Sequence, residues 1–240
     1  GKCSMGDQKN NTKFENAINT CVKAIDVTVA SRDIALEQVV DVYSTIPGSF
    51  DVSPETISDN ILKFSQAVVT LHNANLTKAD AALKWSMPKS IEPFQLARCI
   101  IRVNHAINLS YVEDSAECEI AVYCESGIQE GLYTTDMNFI NNIIYSYHTG
   151  MPKNALDEVL SRLKAWAPQH TRTSDPDLIP VNNGIFNYKT KTLMDFSPDF
   201  IFLTKSRTNY NPNATNTTIM NQKDGSMWDV ESWMADLTDD

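Results

Sequence analysis

Residues 178–198 read LIPVNNGIFNYKTKTLMDFSP, and this stretch holds the clearest turn signals in the chain. Apolar residues flank the Asn183-Gly184 step, where glycine readily supplies the positive φ of a tight turn or bulge. A second turn is expected at Lys189-Thr190-Lys191. The stretch therefore predicts β-hairpin structure in this part of the chain.

Another hairpin is expected upstream of this stretch. Residues 119–123 (EIAVY) are strand-like, and residues 131–133 (GLY) supply a partner strand across a loop that contains Gly127. Two amphipathic helices follow, the first capped by Asp136 and the second ended by Pro168. The sequence thus predicts two hairpins with two helices between them along the chain.

The chain before residue 110 is predicted to be helical. Ser53-Pro54 is typical of an N-cap followed by proline at the first helical position, and it opens a helix through Leu71. A further helix from about Pro93 is expected to place four apolar residues on one face, the last of them Ile107.

These elements predict an α+β protein that is mainly helical. A helical N-terminal domain is expected over residues 13–110, followed by a smaller domain over residues 111–225 with two β-hairpins packed around two helices. Residues 1–12 are polar and are interpreted as a flexible lead-in. Residues 226–240 are interpreted as the start of a linker, in which Trp228 to Leu237 open a helix.

The composition suits a globular protein of a reducing compartment. With 240 residues, 42% of them hydrophobic, the chain can build a core without disulfides or metals. No apolar run approaches the length of a transmembrane helix, and the N-terminus lacks the apolar segment of a signal peptide. Five cysteines are widely spaced without a CxxC pair, which predicts reduced thiols and a cytoplasmic protein.

Charge is distributed unevenly along the chain. The net charge of −10 argues against a surface covered in nucleic-acid-binding residues. Between Ser161 and Lys223, however, the sequence contains eight basic and four acidic residues. This stretch therefore has a net charge of +4, and the rest of the chain has −14. Such an asymmetry is typical of a local contact site within an acidic body, although a small excess also arises by chance.

The sequence carries no recognisable catalytic motif. It lacks GxxxxGK[ST], so ATP binding of the P-loop type is not expected, and its four histidines are isolated from one another. Glu117 and Glu119 share one face of a strand, where a metal site is one interpretation and solvated edge carboxylates are the favoured one. No catalytic residue, cofactor site or metal site is therefore predicted.

The basic stretch supplies the candidate DNA-binding residues. Lys189 and Lys191 sit at the expected hairpin turn beside Tyr188, and Lys205 and Arg207 follow a second apolar run. Basic residues beside an exposed aromatic ring can bind the phosphate backbone while the ring stacks on a base. The alternative is that lysines at a turn and a strand edge solubilise the surface and block edge pairing.

Several motifs in fixed order resemble a known family. The motifs are residues 178–186 (LIPVNNGIF), 189–193 (KTKTL), 196–199 (FSPD) and 210–214 (YNPNA), with the upstream hairpin at 121–123 and 131–133. Together they resemble the region just N-terminal to the superfamily 3 helicase in phage and plasmid primase–helicases of the poxvirus-NTPase-like type. The resemblance covers residues 110–240 and is closest to versions from phages and genomic islands of Gram-positive bacteria.

The resemblance implies a place in a larger replication protein of a bacterial host. Such proteins carry a primase domain upstream and a hexameric helicase downstream, so the parent protein is expected to be an ATP-dependent DNA helicase, with or without primase activity. The family assigns no catalytic residue to this segment, and none is carried over to this chain.

Two functional hypotheses follow, and both treat this chain as non-catalytic. In the leading one the segment helps to load or hold single-stranded or forked DNA and couples it to the helicase, with phosphate contacts from Lys189, Lys191, Lys205 and Arg207. In the alternative it is an interaction or oligomerisation scaffold that forms a collar or recruits a host replication protein without DNA contact. A third hypothesis, that the chain itself primes or hydrolyses, is disfavoured, and no membrane partner is expected.

Overall fold

The structure is a computed structural model that describes residues 16–28, 31–112, 117–230 and 232. Helices dominate the N-terminal part and strands the C-terminal part, which confirms the predicted α+β class. The chain divides into two compact units. Unit 1 comprises the residues up to Ser174 together with Phe196–Thr204, and unit 2 comprises Asp175–Asp195 and Lys205–Asp240. The domain bounds at residues 110 and 225 stay predictions.

Unit 1 contains the long helices of the protein. Residues 16–21 are helical, and short 3₁₀ helices lie at Val22–Ala24 and Lys78–Leu83. The labelled helices are α1 (Arg32–Tyr43), α2 (Pro54–Asn75), α3 (Pro93–Val103), α4 (Met137–Tyr147) and α5 (Lys153–Trp166).

Helix starts follow the capping signals in the sequence. The Ser53 side chain accepts a hydrogen bond from the Thr56 N–H at 3.2 Å, and Pro54 takes the first helical position of α2. Asp136 accepts from the Asn138 N–H at 2.9 Å at the start of α4. Both predicted caps are confirmed, because each satisfies a backbone donor that the helix leaves without an internal partner.

A four-stranded sheet completes unit 1, with the strand order β3-β2-β1-β4. Strand β1 pairs antiparallel with β2 and parallel with β4, and β2 pairs antiparallel with β3. The bounds are β1 (Ile107–Ser110), β2 (Cys118–Tyr123), β3 (Tyr133–Thr134) and β4 (Gln169–Thr171).

The helix predicted from about Pro93 to Ile107 is too long at its C-terminal end. Helix α3 ends at Val103, and Ile107 begins strand β1 rather than continuing the helix. His105 between them has φ of +48°, a left-handed conformation that cannot continue a right-handed helix. The apolar spacing that suggested a helix instead places Ile107 in the core of the sheet.

The hydrophobic core of unit 1 joins the helices to one another and to β2. Gln95 is fully buried within it and donates to Leu36 O at 2.8 Å and Ser65 Oγ at 2.9 Å, which links α3 to both preceding helices. Fully buried core side chains include Phe64, Leu96, Ile100, Ile140, Ile144, Val159 and Leu163. Among the described residues, the helices are all too short or too polar to cross a membrane.

Unit 2 holds the stretch that opened the sequence analysis. Strands β5 (Leu178–Val181), β6 (Gly184–Asn187) and β7 (Thr192–Met194) form an antiparallel sheet in that order. Both predicted turns lie where the sequence placed them. Gly184 has φ of +148°, and a Cβ there would lie 2.4 Å from Met194 O, so only glycine fits.

A separate two-stranded hairpin in unit 2 corrects the prediction for Trp228. Strands β8 (Ile219–Met220) and β9 (Met227–Trp228) pair antiparallel, so Trp228 lies in a strand and not in the predicted helix. The turn between them is closed by a bond from Gly225 N to Asn221 O, which the positive φ of Gly225 permits. Trp233 and the lead-in at residues 1–12 lie outside the described residues.

Candidate nucleic-acid interface

The β6–β7 turn presents three of the predicted DNA-binding residues. The Asn187 side chain accepts hydrogen bonds from the backbone N–H groups of Lys189 and Thr190, both at 3.0 Å. Lys191 has φ of +57°, which completes the reversal of the chain. The turn therefore has a backbone fixed by its own side chain, while Lys189 and Lys191 extend from it as exposed residues.

Tyr188 and Lys191 contact each other on this turn. The Lys191 Nζ lies 3.3 Å from the centroid of the Tyr188 ring, in a cation–π arrangement. Tyr188 is 57% exposed, so the contact does not bury the ring. A cation on one ring face leaves an accessible aromatic surface beside a positive charge, which is the arrangement expected of a base-stacking platform.

Lys205 and Arg207 lie on a segment that is hydrogen-bonded to β5 and to the β5–β6 turn. Ser206 N donates to Pro180 O at 2.9 Å, which holds the backbone between the two basic residues against β5. Lys205 is half-buried and Arg207 is exposed. The segment that carries both residues is thus hydrogen-bonded to β5.

Two asparagines of the β5–β6 turn fix the following part of this segment. Asn182 N donates to Thr208 O at 3.1 Å. The Asn183 side chain bonds the backbone of Tyr210 twice, with its Nδ2 donating to Tyr210 O at 3.1 Å and its Oδ1 accepting from Tyr210 N at 2.8 Å. Sequence reasoning treated Asn183 only as a turn residue and missed this role.

Tyr210 connects the two groups of basic residues. Its ring stacks on Phe186 with centroids 4.4 Å apart, and its hydroxyl donates to Lys191 O at 3.4 Å. Phe186 is half-buried beneath the Tyr210 ring. The motif at residues 210–214 was a signal for Tyr210, but nothing local in the sequence indicates its partner.

All five predicted residues belong to unit 2. Tyr188, Lys189 and Lys191 come from one turn, and Lys205 and Arg207 come from the segment fixed at the opposite turn. Glu117 and Glu119 lie in unit 1 and are exposed, and Glu119 accepts a hydrogen bond from the Tyr111 hydroxyl at 2.9 Å. Among the described residues, no group of three or more His, Cys, Asp or Glu is close enough to hold a metal ion.

The fold is thus α+β, with the long helices and a four-stranded sheet in unit 1 and two small antiparallel sheets in unit 2. The family model described as D5 N terminal like matches residues 100–237, which is more than half of the chain. The chain belongs to this family, whose domain is typical of phage and plasmid primase–helicase proteins. The resemblance drawn from the motif order is confirmed. A comparison with curated protein sequences finds no match.

Proposed function

We propose that this segment helps a phage or mobile-element primase–helicase to hold DNA and couples that DNA to a hexameric helicase of superfamily 3. Lys189, Lys191, Lys205 and Arg207 make the phosphate contacts, and Tyr188 stacks on a base. The observation that carries the proposal is the set of contacts made by Tyr210. Its backbone is hydrogen-bonded to Asn183, its ring stacks on Phe186, and its hydroxyl donates to Lys191 O. These contacts join the segment that follows Lys205 and Arg207 to the turn that carries Lys189 and Lys191.

The proposal is supported by the ordered backbone of the turn that carries Lys189 and Lys191. A flexible basic tail loses conformational entropy when it binds, whereas the turn ordered by Asn187 presents its cations on a backbone that is already fixed. The Tyr188 ring adds a surface on which bases of an unpaired strand can stack. This combination favours single-stranded or forked DNA over a uniform duplex.

The proposal extends to the whole protein and its setting. This chain supplies no catalytic group in it, and ATP hydrolysis and any primer synthesis belong to the helicase and primase parts of the same polypeptide. The family's association with primase–helicases supports those partners. A host replication protein is a further proposed partner, and the bacterial cytoplasm is the proposed compartment.

The test is binding of this chain to fluorescently labelled single-stranded, duplex and forked DNA at low salt, followed by anisotropy. We expect a variant with Lys189, Lys191, Lys205 and Arg207 all changed to alanine to lose most of its affinity. The matched control changes four exposed lysines of unit 1 to alanine, namely Lys23, Lys78, Lys84 and Lys89. This control makes the same change in net charge without touching unit 2.

Two outcomes separate a local interface from a general charge effect. The proposal holds if the unit 2 variant is impaired and the unit 1 control binds like the unmodified chain. Equal losses in both variants, or no loss in either, would contradict it.

A scaffold function is the second candidate, and the β8–β9 hairpin favours it. Ile219 pairs with Trp228 and Met220 with Met227, so each face of the hairpin carries two apolar side chains. All four are at least 40% exposed. A two-stranded hairpin is marginal in water by itself, and exposed apolar side chains on both faces are typical of a protein contact.

The scaffold candidate has its own test. Light scattering during size-exclusion chromatography should show the full-length primase–helicase losing assembly when Ile219 and Met227 are changed to serine. The four-alanine DNA variant serves as the control and should assemble normally. Unchanged assembly of the serine variant would argue against the scaffold function.

A further inference from the structure

The sheet of β5, β6 and β7 in unit 2 has one buried face and one exposed face. On the buried face, Ile185 is fully buried and lies opposite Pro180 and Met194, which are half-buried. Side chains alternate between the two faces along each strand, so the neighbours of these three residues belong to the exposed face. The exposed face of an antiparallel sheet is expected to carry polar side chains.

The exposed face of this sheet carries an apolar row instead. Ile179, Phe186 and Leu193 lie opposite one another in the register of the three strands, so the row crosses the whole sheet. Ile179 is 40% exposed and Leu193 is 38% exposed. Tyr188 lies two positions after Phe186, and its N–H donates to Asp177 O at 2.7 Å, so the strand pairing continues to it. Tyr188 therefore lies on the same face as the row.

Tyr210 adds a second aromatic ring to this face. Its ring lies within 23° of parallel to the Phe186 ring, with the centroids 4.4 Å apart. The Asn183 side chain holds the Tyr210 backbone, and the hydroxyl donates to Lys191 O, so the ring is fixed at both ends. In the part of the chain that the structure describes, Phe186 is its one aromatic partner. Tyr210 thus has a fixed ring whose second face is available for stacking.

Gly184 keeps the face flat beside Leu193. A Cβ at Gly184 would lie 3.1 Å from Leu193 Cδ1 and 3.2 Å from Leu193 Cγ, so the leucine side chain leans over the glycine. The apolar surface therefore extends over a position at which any other residue would project from the sheet. Such a flat apolar surface beside aromatic rings suits planar groups such as nucleobases.

The surroundings of this face are basic although the chain is acidic. Residues 177–195 and 205–210 form the sheet and the segment bonded to it, and their net charge is +2, whereas that of the whole chain is −10. The charged residues are Lys189, Lys191, Lys205 and Arg207 against Asp177 and Asp195. Lysine is depleted at protein interfaces, whereas a nucleic acid alternates planar bases with phosphates. The charge therefore favours a nucleic acid over a protein on this face.

We propose that the exposed face of the β5–β7 sheet is a stacking platform for the bases of single-stranded DNA. Bases lie on the rings of Tyr188 and Tyr210 and against Ile179 and Leu193, while the phosphates reach the basic residues around the face. The inference rests on the proposed DNA-holding function and adds to it the surface that recognises bases. Because every base has a planar aromatic face, binding is tolerant of sequence.

The experiment compares an oligothymidylate with an abasic oligonucleotide of the same length, which has the same phosphates but no bases. Both are labelled, titrated with the 240-residue chain at one salt concentration and followed by anisotropy. We expect the oligothymidylate to bind at least about tenfold more tightly, because the stacking of one base on an aromatic ring contributes a factor of this order.

A variant of the apolar row separates base contacts from phosphate contacts. Ile179→Thr combined with Leu193→Thr removes apolar surface from the face and introduces β-branched side chains that favour strands. We expect this variant to bind the oligothymidylate about tenfold more weakly and the abasic oligonucleotide as before. The matched control, Ile219→Thr combined with Met227→Thr, alters two exposed apolar residues of the β8–β9 hairpin and should bind both oligonucleotides normally.

Photochemical cross-linking locates the bases on the unmodified chain. An oligonucleotide with iodouracil in place of thymine cross-links on irradiation to an aromatic side chain that stacks on the base. Mass spectrometry of the digested complex should find the cross-link at Tyr188 or Tyr210. Cross-links confined to other residues would place the bases elsewhere and would contradict the proposed platform.

The outcomes separate this inference from the function on which it rests. If neither oligonucleotide binds, both the platform and the DNA-holding function are wrong. Equal binding of the two oligonucleotides would overturn the platform alone and leave the phosphate contacts in place. A threonine variant that binds the oligothymidylate normally, but prevents assembly of the full-length protein, would assign the face to a protein partner instead. If circular dichroism shows that this variant is unfolded, the oligonucleotide comparison and the cross-link still decide.

Discussion

At the scale of single residues, the Tyr188 ring tests the stacking half of the proposed interface. We expect Tyr188→Leu to weaken single-stranded DNA binding by about 1–3 kcal/mol, the range found for base–aromatic stacking, and to leave duplex binding nearly unchanged. Tyr188→Trp keeps an aromatic face and should retain most of the affinity. Anisotropy on both DNA forms measures this, and equal weakening on duplex would show that the ring does not stack on a base.

Two glycines of the β2–β3 loop separate backbone strain from steric clash. Gly127 and Gly131 have φ of +82° and +83°, but a Cβ at Gly127 meets nothing within 4 Å whereas one at Gly131 lies 2.1 Å from the Phe196 ring. We expect Gly127→Ala to cost about 1 kcal/mol from the left-handed backbone alone. Gly131→Ala should cost about 2–4 kcal/mol, because the ring must move as well.

Urea denaturation of both glycine variants gives the comparison directly. Similar free energies of unfolding for the two would mean that Phe196 yields without cost, and that the close packing beneath Gly131 contributes little to stability.

At the scale of elements, the β6–β7 turn depends on one side chain. Asn187 accepts from two backbone N–H groups, and alanine there removes both bonds without changing the charge of the turn. We expect Asn187→Ala to reduce DNA affinity, since Lys189 and Lys191 lose their fixed backbone. Asn221→Ala removes a comparable turn bond in the β8–β9 hairpin and should leave DNA affinity unchanged.

The anisotropy assay used for Tyr188 also serves here. If Asn187→Ala binds DNA as tightly as the unmodified chain, the lysines act as mobile charges and the order of the turn is irrelevant to binding.

The sequence predicts an element well when neighbouring residues determine it, and poorly when pairing with a distant part of the chain does. The caps at Ser53 and Asp136 and the turn at Gly184 were predictable, because each follows from a few neighbouring residues. Strand β4 was missed because it exists only through its pairing with β1, in which Gln169 lies opposite Asn108, 61 residues earlier in the chain. The end of α3 was missed because the apolar spacing of the helix continues to Ile107, which belongs to β1.

The candidate interface divides in the same way. Its five basic and aromatic residues were proposed from the sequence, three of them at a predicted turn and two after the apolar run that precedes Lys205. The bonds that hold them together, from Asn183 to the Tyr210 backbone and from the Tyr210 hydroxyl to Lys191, join residues 27 and 19 positions apart. No local pattern in one sequence encodes such a contact, so it came only from the structure.

At the scale of the whole molecule, Cys99 reports on the integrity of the unit 1 core. Its side chain is fully buried in α3, and burial raises the pKa of the thiol to about 12. At pH 8 the thiol therefore stays protonated in the folded protein and reacts only after unfolding, when its pKa falls toward its ordinary value. Mass spectrometry after a pulse of iodoacetamide should find Cys99 unmodified in native buffer and modified in concentrated urea.

Rapid modification of Cys99 in native buffer would mean that the core opens without global unfolding. The half-buried Cys21 offers an internal comparison in the same digest, and it should react faster than Cys99.

The phosphate contacts on which the DNA-holding function depends are tested most directly by the salt dependence of duplex binding, to which the Tyr188 ring contributes little. Four phosphate contacts from Lys189, Lys191, Lys205 and Arg207 predict a log–log slope of affinity against salt of roughly −3.6. We expect that slope for the unmodified chain and a slope near zero for the four-alanine variant. A slope near zero for the unmodified chain, or an unchanged slope in the variant, would contradict the proposed interface.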